Sequence, residues 1–233
     1  MSEELSYFQF KHFRLAQSEA VMKVSTDSRL LGGYASRKKF NNVLDVGTGM
    51  GIVSFILAHS NPIAQILGID RSSEAISLAE LSKSLNAGFD NVQFLNVDLN
   101  NFMPSSKFDL IVSNPPYFVN QQSAQTDSRK LIRHTESNFI EFFCRKALDW
   151  TLPNTYVIII IPVQMESDWT YQMSKNGFVL GEFIRFRHNV NAEYSLCICI
   201  YTRNFAQLIT LDYLIKNSDD SYSDDFIKIV GEF

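Results

Sequence analysis

The stretch LDVGTGMG, Leu44 to Gly51, decides the fold. It stands between a short apolar run, residues 41–46, and a helical one, GIVSFILAHS from Gly51 to Ser60. The glycines at 47, 49 and 51 therefore mark a turn from a buried strand into a helix. Glycine at such a turn tolerates unusual dihedrals and lets backbone approach a ligand closely. Taken alone, the turn can serve a dinucleotide.

Outward from this turn, strand and helix signals alternate. AQILGID is a second strand, ending at Asp70. SSEAISLAELSKSLNAG reads as a helix with a serine cap at Ser72 or Ser73, apolar Ile76, Ala79 and Leu85, and Gly88 as its stop. NVQFLNVD is a third strand and FDLIVSN a fourth. SNFIEFFCRKALDW is a helix, YVIIIIP a fifth strand, and VQMESDWTYQMSKNG a helix closed by Gly177. Two longer β-type runs follow, FVLGEFIRFRH and AEYSLCICIYTR, with no helix between them. The predicted fold is α/β: a doubly wound Rossmann-like sheet, mostly parallel, with an antiparallel edge hairpin and helices on both faces. The fourth strand is expected beside the first.

Residues 1–41 are too few for a domain of their own. They are expected to form a lid and substrate-binding segment on a single domain that spans 42–233 and ends in an acidic tail. YFQFKHFRLAQ in that lid is aromatic, basic and β-type, and Thr26 or Asp27 can cap a short helix after it. In the tail, a surface helix capped at Ser223 is expected.

Bulk properties bound the rest. The chain has 233 residues, 45% hydrophobic and 20% charged, which excludes disordered and fibrous classes. A net charge of −4 argues against coating nucleic acid by bulk charge, but leaves local patches free to grip one RNA. Cys144, Cys197 and Cys199 are an odd, sparse set, which points to a reducing compartment and a cytoplasmic protein. Cys197 and Cys199 share one face of a strand and read as core; no further ligand sits at zinc spacing, so no metal is expected. The N-terminus lacks the basic and apolar regions of a signal peptide, and the run Val157 to Ile161 is too short to cross a bilayer.

Three acids sharpen the glycine turn. Asp45 precedes Gly47, Asp70 ends the second strand, and Asp98 follows the third. A carboxylate about twenty residues past the turn can accept both hydroxyls of a ribose. Asp-x-Gly-x-Gly-x-Gly with acids ending the next two strands resembles the class I S-adenosylmethionine-dependent methyltransferases. The resemblance implies that Asp45, Gly47, Gly49 and Gly51 border the methionine part of S-adenosylmethionine. It also implies that Asp70 takes the ribose and Asp98 the adenine.

After the fourth strand comes Asn114-Pro115-Pro116-Tyr117. Each proline fixes its own φ and pushes the residue before it out of the α region, so Asn114 and Pro115 are both held extended. The Asn114 side-chain oxygen and the Pro115 carbonyl can then each accept one N–H of a planar amino group. Two acceptors favour a pyramidal nitrogen with its lone pair aimed at the methyl carbon, and stabilise the positive charge that grows there. Tyr117 offers a flat face to a ring, worth about 1–3 kcal/mol per stacked base. Asn-Pro-Pro-Tyr resembles methyltransferases of planar NH₂ nitrogens, whose substrates are adenine N6 or the glutamine amide of release factors.

The lid narrows the choice. Met22, Lys23, Val24, Thr26, Asp27, Leu30, Leu31 and Gly32 resemble the Met-Lys-Val-Gly-Thr-Asp and Leu-Leu-Gly stretches of the bacterial tRNA1(Val) adenine-37 N6-methyltransferases. The loop at 120–136, with Arg129, Arg133 and His134, and YSDDF near the end also resemble that family. The implied partner is a tRNA anticodon stem-loop, met by a monomer without an obligate protein partner. Thr26 and Asp27 then join the cofactor site. Ser25 and Ser28 stand where the family carries glycine; a backbone needing positive φ there would strain serine. Basic residues expected to meet RNA phosphates are Lys11 and Arg14, Arg129 and Arg133 with His134, and Arg185 and Arg187. The alternative enzyme is a protein-glutamine N5-methyltransferase, which usually carries a helical domain ahead of the turn.

Overall fold

The computed structural model describes residues 5–18, 21, 24–116, 126–204, 207–231 and 233, and for residues 126–137 the backbone alone. A hairpin, β1 (Ser6–Gln9) and β2 (Arg14–Gln17), precedes helix α1 (Thr26–Ala35). Then follow β3 (Asn42–Val46), α2 (Ile52–Ser60), β4 (Gln65–Asp70), α3 (Ser73–Ser84), β5 (Val92–Asn96) and β6 (Phe108–Ser113). The second half holds α4 (Thr126–Trp150), β7 (Thr151–Pro162), α5 (Glu166–Lys175), β8 (Val179–Arg187), β9 (Tyr194–Thr202), β10 (Ile209–Leu214) and α6 (Asp224–Val230).

Eight strands form one sheet in the order β10-β8-β9-β7-β6-β3-β4-β5. Only β9 runs against its neighbours, β7 and β8; the other pairings are parallel. The mostly parallel sheet, the hairpin and the place of β6 beside β3 are as expected. One strand is additional: Ile209–Leu214 pairs with β8 and takes the outer position at that flank. Alternate residues of the central strands serve opposite faces, as a strand repeat of two requires. Val157, Ile159 and Ile161 pack with Cys144, Phe143 and Trp169 under α4 and α5. Ile158 and Ile160 pack with Leu30, Leu31 and Ile56 under α1 and α2. Cys197 and Cys199 are buried on the first of these faces, as free thiols.

The N-terminal residues share this core. Phe10, Phe13, Leu15 and Ala16 of the hairpin segment are buried with Phe55 and Phe89. The Ala16 N–H donates to Ser82 Oγ of α3 at 2.9 Å. Helix α1 starts at Ser25, whose side chain, not that of Thr26 or Asp27, accepts the Ser28 N–H. Ser25 sits at φ −105 and ψ 157, an ordinary N-cap conformation, and among the described residues only Asp220 is a non-glycine with positive φ. Serine at 25 and 28 is therefore unstrained. Helix α4 starts at Thr126, well before the expected segment, because no glycine or proline interrupts 126–150 and Thr126-Asp127 supplies a helix start. Part of the expected loop is thus helix.

Helix α6 closes over α1. A Cβ at Gly33 would lie 2.2 Å from the Ile229 carbonyl oxygen, a backbone atom that cannot swing aside. Gly33→Ala should therefore destabilise by about 1–3 kcal/mol, as overpacking does. At this chain length that lowers the thermal midpoint by about 2–4 °C per kcal/mol, which a melting curve measures.

Candidate active site

The parallel strands all leave the sheet along one edge, so the loops after them form a common rim. At the centre of that rim is the glycine turn. Gly47, Gly49 and Gly51 have φ of 73, 56 and 88. The N–H groups of Gly47 and Thr48 both donate to the Ile69 carbonyl, at 2.9 and 3.0 Å, which ties the turn to the end of β4. A Cβ at Gly47 or Gly49 would meet nothing within 4 Å, so bare backbone faces open space there. Gly51 differs: a Cβ would come within 2.7 Å of the Phe94 ring, so this glycine serves the packing of α2.

Asp45 lies behind the turn, 1% exposed. Its Oδ2 accepts the hydroxyls of Thr48 at 2.7 Å and Ser54 at 2.8 Å. Sequence reading did not single out these two hydroxyls; their signal is the interval of three and nine residues after the acid. Burial raises the Asp45 carboxyl from 3.8 to about 6, although both hydroxyls oppose the shift. The native state therefore keeps a proton that the unfolded chain has lost between these values. By linkage, this contribution to stability falls as pH rises from about 4 through about 6 and is constant above. Asp45→Asn cannot titrate. The gap between wild-type and variant stability should widen against the wild type by about 2–3 kcal/mol across that window, at 1.36 kcal/mol per unit. Chemical denaturation at pH 4, 5, 6 and 7 measures it.

Asp70, half-buried at the end of β4, bridges two elements. Its Oδ2 accepts the Gly49 N–H and its Oδ1 the Ser72 N–H ahead of α3, each at 2.9 Å. The carboxylate thus orients the glycine turn itself. Asp98 follows β5 and caps a short 3₁₀ turn (Leu99–Asn101); its Oδ1 accepts both the backbone and the side-chain N–H of Asn100. Both bonds fall on one oxygen.

Asn114 stands next to this turn. Val46 and Ser113 are register partners, and the Ser113 hydroxyl donates to the Val46 carbonyl at 2.8 Å. Gly47 and Asn114 therefore leave adjacent strands, whose usual spacing is about 5 Å. Pro115 is buried and Pro116 exposed. The Asn114 Nδ2 donates to Ser28 Oγ at 3.2 Å, while Oδ1 is buried and has no hydrogen-bond partner among the described residues. Tyr117 lies outside the described residues.

On the β7 side of Asn114, Thr26 and Asp27 line a cleft of about 430 Å³ with Pro162, Gln164, His188 and Lys216. Tyr222 forms part of its wall and stacks on Phe226 at 4.4 Å, with Arg29 over both rings. Gln164 and Lys216 did not stand out in the sequence, because they come from separate loops; Tyr222 opens the YSDDF stretch and pairs with Lys216.

The basic residues divide. Arg185 and Arg187 end β8 near the rim. Arg185 makes two 2.8 Å bonds to Asp212 and lies 4.4 Å over the Tyr194 ring; Arg187 donates to the Val190 carbonyl. Arg129, Arg133 and His134 fall on the first three turns of α4. Lys11 and Arg14 depart from the expectation. The Arg14 N–H meets Asn86 beyond the C-terminus of α3, and His12 stacks on His59 in the last turn of α2. Both helices run away from the rim, so this hairpin tip sits at the opposite edge of the sheet.

Relatives match this arrangement. The family profile described as Methyltransferase domain matches residues 37–185. A methyltransferase structure from Pyrococcus furiosus shares the fold with a TM-score of 0.62 at 16% identity, covering 83% of this chain and 90% of that one. The chain is 27% identical to the tRNA1(Val) (adenine(37)-N6)-methyltransferase of Glaesserella parasuis serovar 5, over 98% of this chain and 97% of the relative. It is 34% identical to the protein of that name from Bacteroides thetaiotaomicron, over 97% and 96% respectively. With a relative so similar along its whole length, and with the glycine turn and Asn114 side by side at one rim, the chain belongs to the tRNA1(Val) (adenine(37)-N6)-methyltransferase family.

Proposed function

We propose that this chain transfers the methyl group of S-adenosylmethionine to N6 of adenosine 37 in the anticodon loop of tRNA1(Val), acting as a cytoplasmic monomer. The observation that carries this reading is the buried, unpartnered Oδ1 of Asn114 beside the glycine turn. A buried acceptor without a donor is unfavourable by about 1–3 kcal/mol, and it persists where a ligand supplies the donor. An exocyclic amino group does so.

The rim fits the cofactor. Gly47 and Gly49 offer open backbone for its methionine end; Thr26 and Asp27, which line the neighbouring cleft, are assigned to the cofactor from the lid resemblance. Asp45 holds the turn from behind and lends it negative charge. The carboxylate of Asp70 accepts from the ribose hydroxyls on lone pairs its two backbone donors leave. Asp98 accepts the adenine amino group through Oδ2. When bound, S-adenosylmethionine supplies an electrophilic methyl carbon on a positively charged sulfur.

Asn114 Oδ1 and the Pro115 carbonyl each accept one N–H of the target amine. They draw its nitrogen out of conjugation and favour the cation that develops on it. A neutral amide does not take up the proton, which leaves to water along the cleft. The motif's aromatic, Tyr117, is the residue we assign to stacking on the adenine. The strand on either side of the target passes the cleft formed by Gln164, His188, Lys216 and Tyr222, with Arg129, Arg133, His134, Arg185 and Arg187 set to meet phosphates. Among the described residues no helix is long and apolar enough to cross a membrane.

Nucleoside mass spectrometry tests this function. tRNA1(Val) from cells lacking the chain should lose N6-methyladenosine and regain it with the wild-type chain. An unchanged nucleoside profile, with label passing to release factor in vitro, would establish the glutamine alternative instead.

A further inference from the structure

We infer that Ser28 is a positioning residue for the transfer: its hydroxyl fixes which way the Asn114 side-chain amide points. This rests on the function proposed above. The two ends of an asparagine amide are nearly the same size, and a half-turn exchanges acceptor for donor. The acceptor must face the amine. Among the described residues no donor on that side selects it, since Oδ1 has no hydrogen-bond partner there. The selection comes from the other end, where Nδ2 donates to Ser28 Oγ at 3.2 Å.

Ser28 can accept because its own proton has somewhere to go. Ser25 Oγ lies 3.1 Å from Ser28 Oγ, and it already accepts the Ser28 N–H at 3.2 Å. The Oγ–Oγ distance allows either hydroxyl to donate; we assign the Ser28 proton to Ser25, so that the chain runs from Asn114 N–H to the Ser28 hydroxyl and on to Ser25. Ser28 is 8% exposed, so water competes poorly for these bonds. Leu30 and Leu31 in the core and Gly33 against α6 hold the helix that carries it.

A hydrogen bond of this kind favours one orientation by about 0.5–1.5 kcal/mol. Ser28→Ala should therefore lower kcat about 5- to 10-fold, with KM for tRNA and S-adenosylmethionine affinity held within about twofold. Ser28→Thr, which keeps Oγ, should restore kcat to within about twofold of wild type. A rise in KM at unchanged kcat in Ser28→Ala, or a Ser28→Thr variant as slow as the alanine, overturns the inference. A second readout needs no RNA. The Asn114 side-chain NH₂ signal, identified by its absence in Asn114→Asp, should be protected from solvent exchange in wild type and lose that protection in Ser28→Ala. Equal protection in both overturns the inference as well. Absence of tRNA methylation by the wild-type enzyme refutes the proposed function instead, and the NMR comparison still decides the role of Ser28.

Discussion

Asn114→Ala should lower the methyl-transfer rate by about 10²–10³-fold, the usual loss when one preorganised charge-stabilising group is removed. S-adenosylmethionine affinity should stay within about twofold, because the amide meets the amine and not the cofactor. The structure separates the two effects. Asn114 follows β6, the glycine turn follows β3, and the hydrogen bond joining the two strand ends uses Ser113 and Val46, which the substitution leaves intact. Among the described residues the side chain lost holds one hydrogen bond, to Ser28, so stability should change little. Single-turnover transfer of labelled methyl to a tRNA1(Val) transcript gives the rate, and calorimetric titration gives the affinity. Undiminished transfer would remove Asn114 from the chemistry.

The second large effect falls on binding. Asp70→Ala should weaken S-adenosylmethionine by about 100-fold, close to 2.7 kcal/mol. Two causes add. The ribose loses a charged acceptor, a bond of about 1.5–3 kcal/mol. The turn also loses its brace, since the Gly49 N–H has no other acceptor among the described hydrogen bonds. Asp70→Asn keeps one acceptor oxygen and the shape, so it should lie between, at about tenfold. The unliganded alanine variant should also melt lower, because the Ser72 N–H ahead of α3 goes unpaired. Wild-type affinity in Asp70→Ala would show that the ribose sits elsewhere.

Much of this was legible before the structure, and the reason is local. A strand period of two, a helix period of 3.6 and glycine between them are written into short windows. So the strand, turn and helix around Leu44 to Gly51 formed as expected, and Asp70 and Asn114 lie at the ends of the strands expected to carry them. Non-local packing was less legible. Lys11 and Arg14 looked like rim residues because the lid precedes the glycine turn; the Ala16–Ser82 bond carries their hairpin along α3 to the other edge. Strand β10 was missed because it is a largely exposed edge strand held by non-local pairing with β8, and Asp212 interrupts its apolar run. Ser28 was visible only as a departure from a pattern. Its use depends on β6 ending one hydrogen bond away, a contact 86 positions along the chain.

The packing of α6 on α1 sets an order of events during synthesis. The helix that presents Ser28 to Asn114 is backed by Ile229 and Val230, residues that leave the ribosome after every strand of the sheet. A nascent chain with its glycine turn already made still lacks that backing. That backing arrives only once residues 224–230 have been made, so a chain stalled before residue 224 leaves the Asn114 amide unsupported.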